Sequence, residues 1–213
     1  MEYSKDCPFC MNKRFKNNKL VNLPSEECIL FENNNIYVQV DISPLCRGHI
    51  LIITKEHYLN FYEISDEIKN DTRKVMTSIK KLYKELYNSD TLFFEHGSAK
   101  SGYAGASIDH AHLHCVPFIH TINNDLDKLL GESSKCDILA HSTFKNEFSY
   151  IYTENSNNKT IYKVEKLPSQ FLRKLISEKV NDGKYLWQEK CITSDSINSL
   201  NQTIDDLKNR ISI

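Results

Sequence analysis

The chain has 213 residues and carries 27 Lys+Arg against 28 Asp+Glu, a formal net charge of -1, a length that suits one large domain, or a smaller one with a long extension, at about 100–200 residues per domain. Near-neutrality excludes the broad basic field that drives sequence-independent nucleic-acid binding, and 40% hydrophobic residues with only 6 Gly and 5 Pro exclude collagen-like and low-complexity chains. The longest apolar run, Ile50 to Ile53, falls far short of the roughly 20 residues a membrane span needs, and Met1-Glu2-Tyr3-Ser4-Lys5-Asp6 begins no apolar signal segment, so the expected compartment is the cytoplasm and the expected partner a small, locally recognised molecule.

In chain order, Cys7-Pro8-Phe9-Cys10 comes first, a C-x-x-C open to reading as a metal knuckle or a redox pair. Seven cysteines, an odd number in a chain without an export signal, argue against a disulfide framework. Cys28, Cys46, Cys115, Cys136 and Cys191 are expected as small apolar packers or surface thiols. Cys28 to Phe31 and Ile36 to Val40 flank Asn33-Asn34-Asn35 and predict a β-hairpin, and His49 to Ile53 predicts a buried strand. Ser65 caps a predicted helix in which Ile68, Val75, Met76, Ile79, Leu82, Tyr83 and Leu86 recur at helical spacing up to about Tyr87. Thr91 to Glu95 and His110 to Val116 read as two further strands joined by a Gly/Ser/Ala-rich loop. Beyond Pro117, strands flank an Asn/Ser turn at residues 155–158, a helix starts near Pro168-Ser169, and a last amphipathic helix starts at Ser194. The expected class is α+β, an antiparallel sheet with one long helix. Residues 1–120 are expected to form the main domain with its N-terminal knuckle, and residues 121–213 a mixed extension of strand hairpin and helices.

His110-Ala111-His112-Leu113-His114 carries the strongest chemical signal. On a strand, alternate residues face one side, so the three imidazoles project together at about 7 Å intervals over Ala111 and Leu113. Three histidines pack no better than Val or Ile would in those places. The pattern points to metal binding, catalysis, or both.

This stretch, with Cys115-Val116, resembles the signature of the histidine triad family, H-x-H-x-H followed by apolar residues. Phe31-Glu32, Asp41-Ile42-Ser43-Pro44, Gly48-His49-Ile50-Leu51-Ile52, Lys55-Glu56-His57 and Gly105-Ala106-Ser107 fall in the family's order. The resemblance spans residues 7–117 and implies an enzyme working at the α-phosphate of a nucleotide. By it, His112 is the nucleophile that forms a nucleotidyl-histidine, while His114 and Ser107 hydrogen-bond the phosphate or leaving group. Asp41 takes the ribose hydroxyls, Phe31 and Ile42 line the base pocket, and His49 supports the site. It also implies a structural zinc held by Cys7, Cys10, His57 and His110, and a homodimer formed through a continuous sheet unless residues 121–213 cap that edge. In the extension, Gln170 and Arg173 of Ser169-Gln170-Phe171-Leu172-Arg173 are expected three apart on one helical face, with phosphate as their target.

The expected substrates are a dinucleoside polyphosphate, a nucleotidyl sugar or a nucleoside phosphoramidate. A transferase or phosphorylase using phosphate or a sugar phosphate is the second reading, and a nucleotide- or RNA-binding module without catalysis the third. Three departures from the family pattern bear on this. Ala106 stands where many members have Gln, Glu95 where many have Asn, and Gln39 where an aromatic is usual. A carboxylate at position 95 facing a phosphate is unfavourable unless it is protonated, turned away or paired.

Overall fold

In the computed structural model, the described residues are 7–10, 25–100, 108–140, 147–156, 158–180 and 194–213. Their strands are β1 (Ile29–Glu32), β2 (Ile36–Val40), β3 (Ile50–Thr54), β4 (Thr91–Gly97), β5 (His112–Pro117), β6 (Ser134–Lys135), β7 (Ser149–Asn155) and β8 (Asn158–Val164). The helices are α1 (Asp66–Tyr87), α2 (Asn123–Leu130), α3 (Phe171–Val180) and α4 (Ser194–Leu207). All eight strands join one antiparallel sheet in the order β1-β2-β3-β5-β4-β7-β8-β6. The α+β class and the antiparallel sheet with its long helix match the sequence reading. No helix among the described residues is long and apolar enough to cross a membrane.

Strand alternation sorts the side chains into two cores. Ile36, Val38, Val40, Ile50, Ile52, Phe93, Leu113 and Cys115 face α1 and α4, meeting Ile68, Val75, Ile79 and Tyr83 of the first and Leu200 and Leu207 of the second. Leu92, Phe94, Val116, Ile151 and Tyr162 point the other way, against Leu126 of α2 and Leu172 and Ile176 of α3. Towards β2 and β3, that second face is completed by Cys7, Phe9 and Cys10 packed on Tyr37, Leu51 and Ile53. Both faces are therefore covered, which is why β3 and β4 read as near-continuous apolar runs.

Local chemistry sets the element ends. Ser65 accepts a hydrogen bond from the Ile68 N–H, Asp66 and Glu67 occupy the first turn of α1, and Asn88 closes it in the left-handed region at φ 47°. Gly48 leads into β3 at φ 90°, where a Cβ would lie 2.6 Å from Pro117 and 2.7 Å from Tyr87. Thr203 of α4 accepts the Gly48 N–H at 2.8 Å, and Asp206 takes Arg47 and Tyr87, so α4 braces this turn. Arg47 thus answers a carboxylate of α4.

Residues 121–213 extend the sheet: β7 pairs with β4 from Leu92↔Asn155 to Gly97↔Tyr150. β4 consequently has β5 on one side and β7 on the other. The expected turn at residues 155–158 is the tip of the β7–β8 hairpin. The sequence reading contained neither α2 nor β6. β5 also begins later than expected, at His112, because the Ala111 N–H turns to the Tyr58 carbonyl at 2.6 Å and leaves His110 beyond the strand.

Candidate active site

His112 and His114 lie on the face of β5 that carries α2 and α3, opposite Ile53 and Leu51 of β3. Both are buried, at 8% and 4% exposure. Their rings sit 5.0 Å apart; Phe94 stacks on His114 at 4.3 Å, and Phe9 of the N-terminal knuckle meets His112 edge-on at 5.2 Å.

Hydrogen-bond partners fix the tautomers. His112 Nδ1 is 2.6 Å from the His110 carbonyl. A carbonyl only accepts, so Nδ1 carries the proton and Nε2 keeps a lone pair. Burial holds His112 below the usual imidazole pKa, despite the His110 carbonyl and the Asp41 charge, so the ring is neutral. The Leu45 N–H donates to His49 Nδ1 at 3.0 Å, which places the His49 proton on Nε2. That Nε2–H faces His114 Nδ1 at 3.0 Å and makes it an acceptor, so His114 bears its proton on Nε2. Burial brings His49 down to about 3 and holds His114 well below the ordinary value. A lone pair and an N–H donor stand side by side.

Asp41, at the end of β2, accepts the Ser43 N–H at 2.8 Å through Oδ1 and Arg173 of α3 at 2.7 Å through Oδ2. Arg173 also donates to the Ser43 carbonyl. Burial alone would raise the Asp41 pKa; Arg173, His49 and the Ser43 N–H bring it below the ordinary carboxylate value. Ligand atoms of Asp41, His49 and His114 lie within 4.8 Å of one another. Only His49 and His114 are hydrogen-bonded to each other; Asp41 Oδ2 stands 3.6 Å from His49 Nε2 and 3.8 Å from His114 Nδ1. The set does not suit a metal, because His49 has no lone pair left and the Arg173 cation already neutralises Asp41.

A second cluster joins Cys7, Cys10, His57 and His110, again with ligand atoms within 4.8 Å. Cys7 Sγ is 3.3 Å from His110 Nδ1, and Cys10 Sγ is 3.4 Å from His57 Nδ1 and 3.8 Å from His110 Nδ1. Tetrahedral zinc with the usual Zn–S and Zn–N lengths puts sulfur and nitrogen about 3.6 Å apart. His110 Nε2 donates to the Thr54 carbonyl at 2.8 Å, so its Nδ1 lone pair faces the sulfurs. Burial pushes His110 down to about 4, which keeps that lone pair free. Two thiols and two imidazoles fit zinc as a closed, structural site that could not also bind substrate. The His110 carbonyl is the one that fixes His112, so the cluster and the candidate nucleophile share a residue.

Other expected residues separate. Phe31 lies opposite Val38 in the β1–β2 ladder and packs in the α1-side core, away from the histidine face; a bulge between Ile29 and Phe31 shifts the register that would have turned it inward. Ile42 is partly buried beside Asp41. His49 contacts His114 through its ring and is fully buried. Ser107, with Gly105 and Ala106, and likewise Cys191, falls outside the described residues. α3 starts only at Phe171, with Gln170 in the left-handed region at φ 64°, so helical periodicity does not relate Gln170 to Arg173. His96, on β4 beside Glu95, also lies on the histidine face. The Leu172 N–H of α3 points at its Nε2 at 3.4 Å, and burial takes it down to about 3.

Glu95 is turned away. It accepts the Phe61 N–H at 2.8 Å and the Tyr150 hydroxyl at 2.6 Å. Burial raises its pKa to about 8, against what those two donors favour. Between its unfolded value, near 4.3, and about 8, the unfolded chain has lost the proton that the folded chain retains. Its contribution to stability is therefore full at acid pH and falls as pH rises through that window. Glu95→Gln keeps an oxygen to accept the Phe61 N–H and turns an NH₂ donor towards the Tyr150 hydroxyl oxygen, without the titration. The variant is expected to match the parent in melting temperature near pH 5 and exceed it near pH 8. Parallel curves across that range would show the carboxyl ionised throughout.

The model of the family described as "Protein similar to CwfJ C-terminal" matches residues 1–129, and several relatives are named as HIT or HIT-like proteins. The chain belongs to the histidine triad (HIT) family. A HIT-like protein of Methanocaldococcus jannaschii is 27% identical over 137 residues, 59% of this chain and 97% of that one. The adenosine 5'-monophosphoramidase of Saccharomyces cerevisiae is 32% identical over 88 residues, 41% of this chain and 52% of the yeast protein. Among solved structures, a zinc-bound histidine triad protein from Mycobacterium smegmatis is 27% identical, with 42% and 64% of the two chains covered and a TM-score of 0.36. The family match ends at residue 129. In this HIT protein, α3 and its contacts with Asp41 and His96 come from chain beyond it.

Proposed function

We propose that this HIT protein is a nucleotide hydrolase or nucleotidyltransferase acting at an α-phosphate through a nucleotidyl-His112 intermediate. The carrying observation is the fixed tautomer of His112, whose Nε2 lone pair stands beside the protonated Nε2 of His114. Similarity to a yeast adenosine 5'-monophosphoramidase supports nucleotides as the substrate class.

In this reading, Nε2 of His112 attacks the α-phosphorus as the bond to the leaving group breaks, and the leaving group departs with the bonding pair. His114 donates its Nε2–H to a phosphoryl or leaving-group atom, a role that the family resemblance also gives to Ser107. Water, or an acceptor hydroxyl or phosphate, then attacks phosphorus, breaking the P–N bond and returning His112 to its neutral form. Asp41 holds the ribose hydroxyls with the lone pairs that Arg173 and Ser43 leave free, and Ile42 flanks the base. Arg173 of α3, and Gln170 just before that helix, close the site. Zinc on Cys7, Cys10, His57 and His110 would pin the N-terminal segment and the His57 loop to the start of β5, a structural role without a chemical step. A sheet shared by two copies would have to run through β1 or β6, because β4 is flanked on both sides.

The test is incubation with α-labelled nucleotides followed by denaturation. An acid-labile, base-stable label on the protein is expected, and release that depends on added phosphate or sugar phosphate distinguishes transferase from hydrolase. Nucleotide binding without label across the panel would leave a binding module.

A further inference from the structure

α3 begins against His96 and Asp41, the latter within 4.8 Å of His114 by their ligand atoms. Its Leu172 N–H points at His96, and Arg173 one residue later reaches Asp41. Immediately before the helix stands Gln170, 5% exposed. Both polar atoms of its side-chain amide, Nε2 and Oε1, are buried with no hydrogen-bond partner. The residue holds φ at 64°, a conformation unfavourable for a side chain other than Asn or Gly. A buried amide that satisfies neither its donor nor its acceptor destabilises the free protein, and left-handed backbone adds to that cost. Met or Leu would fill the volume without the polar penalty. The Arg173 Nε is likewise buried and unpartnered, so the unmet polar groups gather at one end of α3, beside His96 and Asp41.

We propose that Gln170 is a specificity residue whose amide reads a donor–acceptor pair on the substrate: the amide-like edge of a nucleobase, or the N–H and phosphoryl oxygen of an amine-bearing phosphate. An amide offers one acceptor oxygen and a donor NH₂. A bare phosphate supplies acceptors alone and would leave Oε1 unmet. A purine edge, or a P–NH₂ group beside its phosphoryl oxygen, satisfies both atoms at once. Sites built around such pairs reject analogues lacking one partner more strongly than apolar pockets reject a methylene. The inference rests on the nucleotide reading of this site, and residue 170 lies beyond the family match.

The experiment measures binding, so it needs no turnover. Titration calorimetry on the full chain, with every protein including the parent carrying His112→Gln so that the phosphoramidate is not turned over, uses adenosine 5'-phosphoramidate against adenosine 5'-monophosphate for the leaving-group arm, and 7-deazaadenosine 5'-monophosphate against adenosine 5'-monophosphate for the base arm. Gln170→Gly removes the amide and suits the backbone, while Gln170→Glu keeps the acceptors and loses the donor. In one arm, each variant is expected to weaken the probe carrying the full pair by about 10-fold or more, and its partner by no more than about 2-fold. Gln170→Gly should also melt no lower than the parent without ligand; a large loss would mean the amide serves the fold. Equal weakening of all probes, no weakening, or no binding of any probe by the parent overturns the proposal. A labelled enzyme with uniform Gln170 effects would retain the nucleotidyl-histidine reading and remove this one. Selective effects without label would do the reverse.

Discussion

His112→Gln should reduce turnover of a nucleoside 5'-phosphoramidate or dinucleoside polyphosphate by a factor of about 10⁴ or more, the scale on which loss of a covalent nucleophile is felt when other groups remain. The fold has little to lose. His112 gives one hydrogen bond through Nδ1 and edge contacts to Phe9 and His114, and the metal-ligand set does not include it. Gln can return an N–H to the His110 carbonyl without supplying a nucleophile. Zinc content and melting temperature should therefore stay close to those of the parent while the labelled intermediate disappears. Failure at chemistry predicts a lower kcat with substrate binding retained. Retained labelling in His112→Gln would move the nucleophile elsewhere. Lost labelling together with lost zinc would show that His112 supports the cluster as well as the reaction.

How far the sequence reveals this site depends on the range of each interaction. The His110-His112-His114 alternation, the Ser65 cap and the hairpin around Asn33-Asn34-Asn35 are local, so periodicity and turn chemistry place them. The register of β1 is less accessible, since the bulge that sends Phe31 to the α1 side leaves no mark in the local pattern. Leu92-Phe93-Phe94-Glu95-His96-Gly97 is buried throughout, so alternation of polarity cannot say that Glu95 faces α1 and His96 the site. The covering layer that buries the histidine face, α2 and α3, lies in a segment with few strong apolar runs. Asp41 and Arg173 meet across 132 residues and Cys7 and His110 across 103. No local spacing encodes either meeting. The Cys/His set is legible only through the family resemblance. The tautomers depend on backbone groups of Leu45, Thr54 and His110, whose sequence identities carry no signal for that role. Gln170 is visible as a residue type, but its unpartnered burial arises only once α3 docks.

Cys10→Ser should remove bound zinc and weaken both the fold and the reaction, by separable routes. Cys10 Sγ sits between His57 Nδ1 and His110 Nδ1, and a serine oxygen is a poor replacement for a thiolate in a tetrahedral zinc site. Protein purified without chelator should carry close to one zinc per chain, and Cys10→Ser far less. The two larger cores contain none of the four ligands, so α1, α3 and the sheet should persist by circular dichroism. The patch of Phe9, Tyr37, Leu51 and Ile53 depends on the cluster, and freeing it should cost about 3 kcal/mol, or roughly 6–12 °C in melting temperature for a chain of this size. The catalytic effect follows from His110, whose ring would be a ligand and whose carbonyl holds the His112 proton. Releasing the ring lets that carbonyl shift, and a displaced supporting residue of this kind costs about 10- to 100-fold in activity. Chelation of the parent and readdition of zinc should remove and restore both properties together, whereas Cys115→Ser, behind β5, should leave zinc in place. A zinc-free parent with full activity would confine the four residues to packing and leave His112 to be oriented by β5 alone.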